Sequence, residues 1–154
     1  MIGSSGTPDM YFHWLKWIYT TQQQGPFAGY ASIVGDNYPP LSAVLLWAGD
    51  QALKNWGFHG SIVVKLTLTG FLLLSSIIYC YWSRDLRLTT IFLAGNFIAV
   101  VGLAYLDILV APFILAACFC LYRQQFTWFL LFYSMAIFIK WQPLIMAPFV
   151  MVAC

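Results

Sequence analysis

Residues 88–122 contain a single charged side chain, Asp107. One α-helix of that length would reach roughly 50 Å at about 1.5 Å per residue, well past the roughly 30 Å of a bilayer's hydrocarbon. The run must therefore fold back on itself, and the natural place is Ala104-Tyr105-Leu106-Asp107. Two helices are expected, near 89–104 and 108–122, closed by Arg123-Gln124-Gln125. An apolar run at 61–82 precedes them and has the length of about 20 residues that a bilayer demands. It ends in the charged hinge Ser83-Arg84-Asp85-Leu86-Arg87. A further span is expected at 127–140, broken by Lys140-Trp141-Gln142-Pro143, and 144–154 starts a fifth.

Composition narrows the class. Hydrophobic residues make up 62% of the 154 and charged residues 8%, against roughly 25% charged in an average globular chain. Such a sequence cannot cover a soluble sphere with charge, and its hydrophobicity excludes a disordered tail. A net charge of +2 is too small for the basic patch that nucleic acid requires, so no nucleic-acid partner is expected. The expected fold is all-α: a polytopic integral membrane helical bundle whose main partner is the lipid bilayer. Cys80, Cys118, Cys120 and Cys154 lie in apolar runs and read as small packing residues. No carboxylate pair or cysteine spacing suits a metal, and no metal is expected.

Orientation follows from the basic residues near span ends. Arg84, Arg87 and Arg123 cluster in the two short hinges, which are read as cytoplasmic. Residues 1–60, Asp107 and Lys140 then share the outer face. An outer N-terminal segment needs a preceding transmembrane helix to translocate it, so the natural chain is expected to start upstream of Met1 and to continue past Cys154.

Residues 1–60 read as an outer loop with two interfacial helices joined by a polar loop. Thr7-Pro8-Asp9 is a helix-start signal. The aromatic run through Tyr11, Trp14, Trp17 and Tyr19 suits a helix in the headgroup layer, and Gln22-Gln23-Gln24-Gly25-Pro26 ends it. The apolar stretch 41–49 is too short to span and is followed by Asp50 and Lys54, an i,i+4 pair read as solvated. Lys65, in the first turns of the 61–82 run, is read as snorkelling to the interface.

The residues able to carry chemistry are few. Asp9 and His13 are four apart on one helical face. Asp9 either serves as general base for a hydroxyl nucleophile, with His13 orienting or sharing the proton, or simply complements the helix N-terminus. In Asp36-Asn37-Tyr38-Pro39-Pro40-Leu41-Ser42 the two prolines stiffen the backbone. That loop either presents Asp36 and Tyr38 to a polar substrate or is a turn introducing the next helix. Asp107 is a functional acid beside a membrane segment or a turn acid. Lys140 offers a point charge to phosphate or anchors the chain at the interface with Trp141. Asn96, with Gly95 and Gly102 nearby, reads as a helix–helix packing residue.

Taken in order, these strings resemble the GT-C superfamily of membrane glycosyltransferases, which use polyprenyl-phosphate-linked sugars. Asp9 stands in Pro8-Asp9-Met10-Tyr11-Phe12-His13-Trp14, at the opening of the first outer loop. Asp36-Asn37-Tyr38-Pro39-Pro40-Leu41-Ser42 is similar to the "DYPPL" string of the dolichyl-phosphate-glucose-dependent glucosyltransferases. The turn Gly102-Leu103-Ala104-Tyr105-Leu106-Asp107 is followed by Ala111-Pro112-Phe113, and Lys140-Trp141-Gln142-Pro143 is similar to the family's "K-x-Q-P" segment. The resemblance implies that Asp9 is the catalytic acid of the first outer loop and that Lys140 faces the donor phosphate. It also groups His13, Asp36, Tyr38, Asp107 and Gln142 as substrate-binding. Asn37 separates Asp36 from Tyr38 where the family string has Asp directly before Tyr, and that weakens a role for Asp36.

The implied reaction is transfer of a hexose from a polyprenyl-phosphate or dolichyl-phosphate donor to a hydroxyl on a glycan, lipid or protein acceptor. It needs no cofactor beyond the lipid-linked donor substrate. The setting is a multi-pass protein of a bacterial inner membrane or the ER membrane, with its active face periplasmic or luminal. The alternative is a non-catalytic membrane protein that binds or translocates lipid-linked sugars, as a flippase or transporter component.

Overall fold

Helix boundaries in this chain follow its glycines, prolines and one acid. The computed structural model describes residues 13–32, 38–58 and 60–148, and among these residues the secondary structure is entirely helical. Helix α1 (Leu15–Gln24) stops at Gly25, whose φ of 81° turns the chain and whose N–H donates to the Thr21 carbonyl. Pro26 then opens α2 (Pro26–Ser32), where a missing N–H costs nothing in a first turn. The same device starts α3 (Pro40–Lys54): Pro39 is extended and Pro40 takes the first helical position.

The long helix α4 (Ser61–Ser83) ends at Arg84, which adopts left-handed backbone with φ 53°. Asp85 caps α5 (Leu86–Phe97), its carboxylate accepting from the backbone N–H groups of Arg87 and Leu88. The helix widens into a π-helical turn at Ile98–Gly102, and Ala104, with φ 56°, reverses the chain. A 3₁₀ turn at Leu106–Leu109 leads into α6 (Ala111–Tyr122), and α7 (Phe126–Ile139) follows after a turn at Gln124. Lys140 is extended and breaks α7; a second 3₁₀ turn, Gln142–Met146, comes next.

Aromatic pairs define how these helices run. Tyr79 stacks on Phe92 with ring centroids 5.2 Å apart, fixing α4 against α5 across the Arg84–Asp85 hinge. Phe71 meets Phe113 at 6.5 Å and Tyr81 meets Phe119 at 5.7 Å, in the same order, so α4 and α6 run parallel. With α6 and α7 forming a hairpin, Arg84, Arg87 and Arg123 collect at one end of the helices. The start of α4, the 104–109 turn and Lys140 collect at the other.

The main core lies at this second end. Trp14, Trp17, Leu46, Val63, Val64, Leu68, Val101, Leu109 and Ile139 are all buried in one cluster. Two close approaches tighten it. A Cβ on Gly29 would lie 2.7 Å from the Thr21 Cα, so α1 and α2 touch backbone to backbone. A Cβ on Gly49 would lie 2.1 Å from the Thr67 hydroxyl, so α3 seats directly on α4. A smaller cluster of Ala117, Cys120, Phe129 and Tyr133 joins α6 to α7.

Several expectations are corrected here. Residues 26–32, read as part of a polar loop, form α2, because Pro26 starts a new helix as Gly25 ends the old one. Trp14 and Trp17 of the aromatic run are buried in the main core, on a segment that packs against α2 and α3, while Tyr19 is exposed. Lys65 does not snorkel: it is fully buried in the α4 face that α3 covers. Asp50 is not half of a solvated pair, since it is 1% exposed and takes a 2.7 Å hydrogen bond from Gln22 Nε2, while Lys54 is exposed. Asn96 donates to the Phe92 carbonyl of its own helix, and a Cβ on Gly95 would meet open space, so neither packs helices together. The helix-start signal at Thr7–Asp9, Asp36, His59 and residues 149–154 lie outside the described residues.

By length and composition, α4 is the one helix among the described residues suited to cross a membrane. The segments Leu86–Gly102, Leu106–Tyr122 and Phe126–Ile139 are apolar but shorter.

Candidate functional site

Lys140 stands where α7 stops. Its extended backbone leaves the helix and carries the ammonium group toward the 104–109 turn, where it forms an ion pair with the Asp107 carboxylate. The two partners differ in setting: the Lys140 side chain is 18% exposed and that of Asp107 65%. A pair open to solvent on one side is worth about 0–1 kcal/mol. An incoming anion can therefore replace Asp107 at small cost, while Lys140 stays where the fold holds it.

Tyr38 supplies the other side of the cation. Lys140 Nζ lies 5.9 Å from the Tyr38 ring centroid, within range of a cation–π contact. The Tyr38 ring is held edge-on by Trp14 at 5.0 Å and Trp17 at 5.5 Å. Its carbonyl accepts a 2.8 Å hydrogen bond from the Tyr30 hydroxyl. The tyrosine is thus fixed at ring and backbone, with the adjoining Pro39–Pro40 limiting φ on its C-terminal side. His13 lies beside this box, its ring 5.8 Å from that of Trp14.

Two grooves flank Asp107. One, of about 360 Å³, is lined by Asp107, Val110, Lys140, Gln142 and Pro143. The turn bearing Gln142 is tied to α7 by the Tyr133 hydroxyl, which donates to the Pro143 carbonyl. The other groove, of about 320 Å³, is lined by Phe92, Asn96, Tyr105, Asp107 and Ile108. One cation, one carboxylate, two amide side chains and two tyrosines therefore meet at the mouth of apolar helices. That set can bind an anionic group at Lys140 and hydrogen-bond hydroxyls around it. Among the described residues, no three His, Cys, Asp or Glu side chains gather in a way that could hold a metal ion.

Of the residues expected from sequence, Tyr38, Asp107, Lys140 and Gln142 come together here, with His13 next to the aromatic box. Asp9 and Asp36 lie outside the described residues. Tyr30, Asn96 and Tyr105 were not expected at the site. Tyr30 reaches the site from α2 by donating to the Tyr38 carbonyl, and Asn96 lines the groove from α5; short-range spacing reveals neither.

No family model, curated protein or solved structure matches this chain.

Proposed function

We propose that the chain is a membrane glycosyltransferase of the GT-C type, or part of one, transferring a hexose from a polyprenyl-phosphate donor to a hydroxyl acceptor. The observation that carries this reading is the convergence of Lys140, Asp107, Tyr38 and Gln142 at one end of a set of apolar helices, beside two grooves. The membrane setting is supported by large apolar side chains turned outward, among them Leu86 at 74%, Ile91 at 67% and Leu130 at 56% exposed. Outward apolar surface of this extent marks contact with an apolar solvent or partner. By the positive-inside rule the arginine end is cytoplasmic and the Lys140 end periplasmic or luminal, in a bacterial inner membrane or the ER membrane.

In this reading the donor phosphate takes the place of Asp107 against Lys140, and Tyr38 and Gln142 border the sugar. Asp9 takes the proton from the acceptor hydroxyl, whose oxygen attacks the anomeric carbon with inversion. The bond to the phosphate oxygen breaks, and its electron pair leaves with the polyprenyl phosphate. Lys140 favours that departure because negative charge grows on the phosphate as the bond breaks.

The test is transfer of labelled hexose from a polyprenyl-phosphate hexose in membranes carrying the full-length protein. Asp9→Asn is expected to lower the rate by about 10²–10⁴-fold, the usual worth of a positioned general base, with membrane insertion unchanged. Retained activity overturns the catalytic role of Asp9. Lys140→Gln is expected to lower kcat/KM by roughly 10–100-fold, the effect of losing a hydrogen bond to a charged group. Tight donor binding with no acceptor ever modified would favour a lipid-linked-sugar binder or translocator.

A further inference from the structure

The opposite end of the helices has an independent feature. A groove of about 490 Å³ runs between α4, α6 and α7, walled by residues such as Leu74, Ile77, Tyr81, Phe113, Phe119 and Phe132. Its lining residues carry no charge. Tyr81 and Phe119, edge to face at 5.7 Å, belong also to a second hollow of about 420 Å³. That hollow is completed by Trp82, Tyr122 and two cations, Arg84 and Arg123. An apolar slot thus opens across one aromatic pair onto a doubly cationic mouth.

Neither Arg84 nor Arg123 forms an ion pair among the described residues. The nearest acid in sequence, Asp85, accepts instead from the backbone at the start of α5. The Arg84 backbone is fixed as the left-handed cap of α4, its N–H bonded to the Cys80 carbonyl at 2.8 Å, and the Arg123 guanidinium lies over the Phe119 ring at 5.2 Å; both residues are exposed. Guanidinium groups match phosphate oxygens in bidentate geometry.

Length identifies the occupant. Leu74 to Arg84 covers about 15 Å of helix at roughly 1.5 Å per residue, half of a hydrocarbon layer of about 30 Å, which is one leaflet. A free phosphate would leave the slot unused, and a neutral lipid would leave both cations unmatched. We propose that the slot and the Arg84–Arg123 mouth together hold an anionic glycerophospholipid, with its phosphate on the two guanidinium groups and an acyl chain between α4, α6 and α7. This rests on the membrane reading of the helices and not on the transferase reading, since Lys140 lies at the far end of α7, about 20 Å away along its axis. Anionic lipid is enriched in the cytoplasmic leaflet, where the arginine end is assigned.

Native mass spectrometry of the full chain in detergent, titrated with dioleoyl phosphatidylglycerol, dioleoyl phosphatidylcholine or inorganic phosphate, tests this. The wild type is expected to bind phosphatidylglycerol at least tenfold more tightly than phosphatidylcholine, and inorganic phosphate far more weakly than either. The double variant Arg84→Gln/Arg123→Gln is expected to remove that preference and leave phosphatidylcholine binding intact. Ala116 also lines the slot, and Ala116→Phe, which puts a ring there, is expected to weaken both lipids. Arg87→Gln, at the same end but outside the hollow, is expected to change binding less than twofold. Three results would overturn the proposal: an unchanged preference in the double variant, inorganic phosphate binding as tightly as phosphatidylglycerol, or an Arg87→Gln effect equal to that of the double variant. Release of the protein from membranes by alkaline carbonate would overturn it together with the membrane reading. Loss or retention of hexose transfer in Asp9→Asn bears only on the other end.

Discussion

At the Lys140 end, Trp14, Trp17, Leu46 and Leu68 are withdrawn from the surface along with the polar Asp50 and Lys65, whereas along α5 and α7 Ile91, Trp128 and Leu130 stand exposed. Helix α5 buries none of its residues. The first region is built like the interior of a soluble domain: three short helices pack around the start of α4, and the buried Asp50 carboxylate finds a partner in Gln22. The second is built inside out, with its apolar side chains on the periphery. One chain combining the two has a packed platform that positions Tyr38 and Lys140, and a set of helices that turn large apolar side chains outward.

The largest expected contrast is between two tryptophans. Trp17→Ala, at a site 1% exposed, should cost about 3–5 kcal/mol of stability, whereas Trp128→Ala, 56% exposed, should stay within about 0.5 kcal/mol in detergent. Unfolding midpoints in an SDS titration measure both, and equal costs would erase the distinction between the regions. A smaller contrast concerns glycine. Gly49→Ala drives a methyl group into Thr67 and should cost about 1–3 kcal/mol, while Gly95→Ala meets open space and should stabilise by about 0.5–1 kcal/mol. The smallest effect is expected at the arginine end. Asp85→Ala removes the α5 cap and should cost about 0.5–2 kcal/mol, read as faster amide exchange at Arg87 and Leu88.

Local punctuation made much of the helical layout legible. The reversal at Ala104 follows from the length of the apolar run, the stop at Gly25 from the Gln-Gly-Pro string, and the hinge at 83–87 from its charges. The pairing of Tyr38 with Lys140 was legible only as two separate candidates, because no spacing relates residues so far apart in the chain. Lys65 and Asp50 were misread for one reason. A charged residue on an amphipathic segment is assigned to the surface by default, and only packing between helices, with α3 seated on α4 and Gln22 of α1 bonded to Asp50, puts these two inside.

What the sequence determined by itself is the all-helical class, several of the places where helices stop and turn (Gly25, the 83–87 hinge, the reversal at Ala104), and the segregation of arginines from Lys140 and Asp107. These depend on backbone preferences and hydrophobic length, which act over a few residues at a time. Tertiary structure alone decided which charges are buried, that Tyr38 lies between two tryptophans and a lysine, and that the apolar slot opens onto Arg84 and Arg123. Each of those depends on which helix faces which, a choice made by packing between elements remote in the chain.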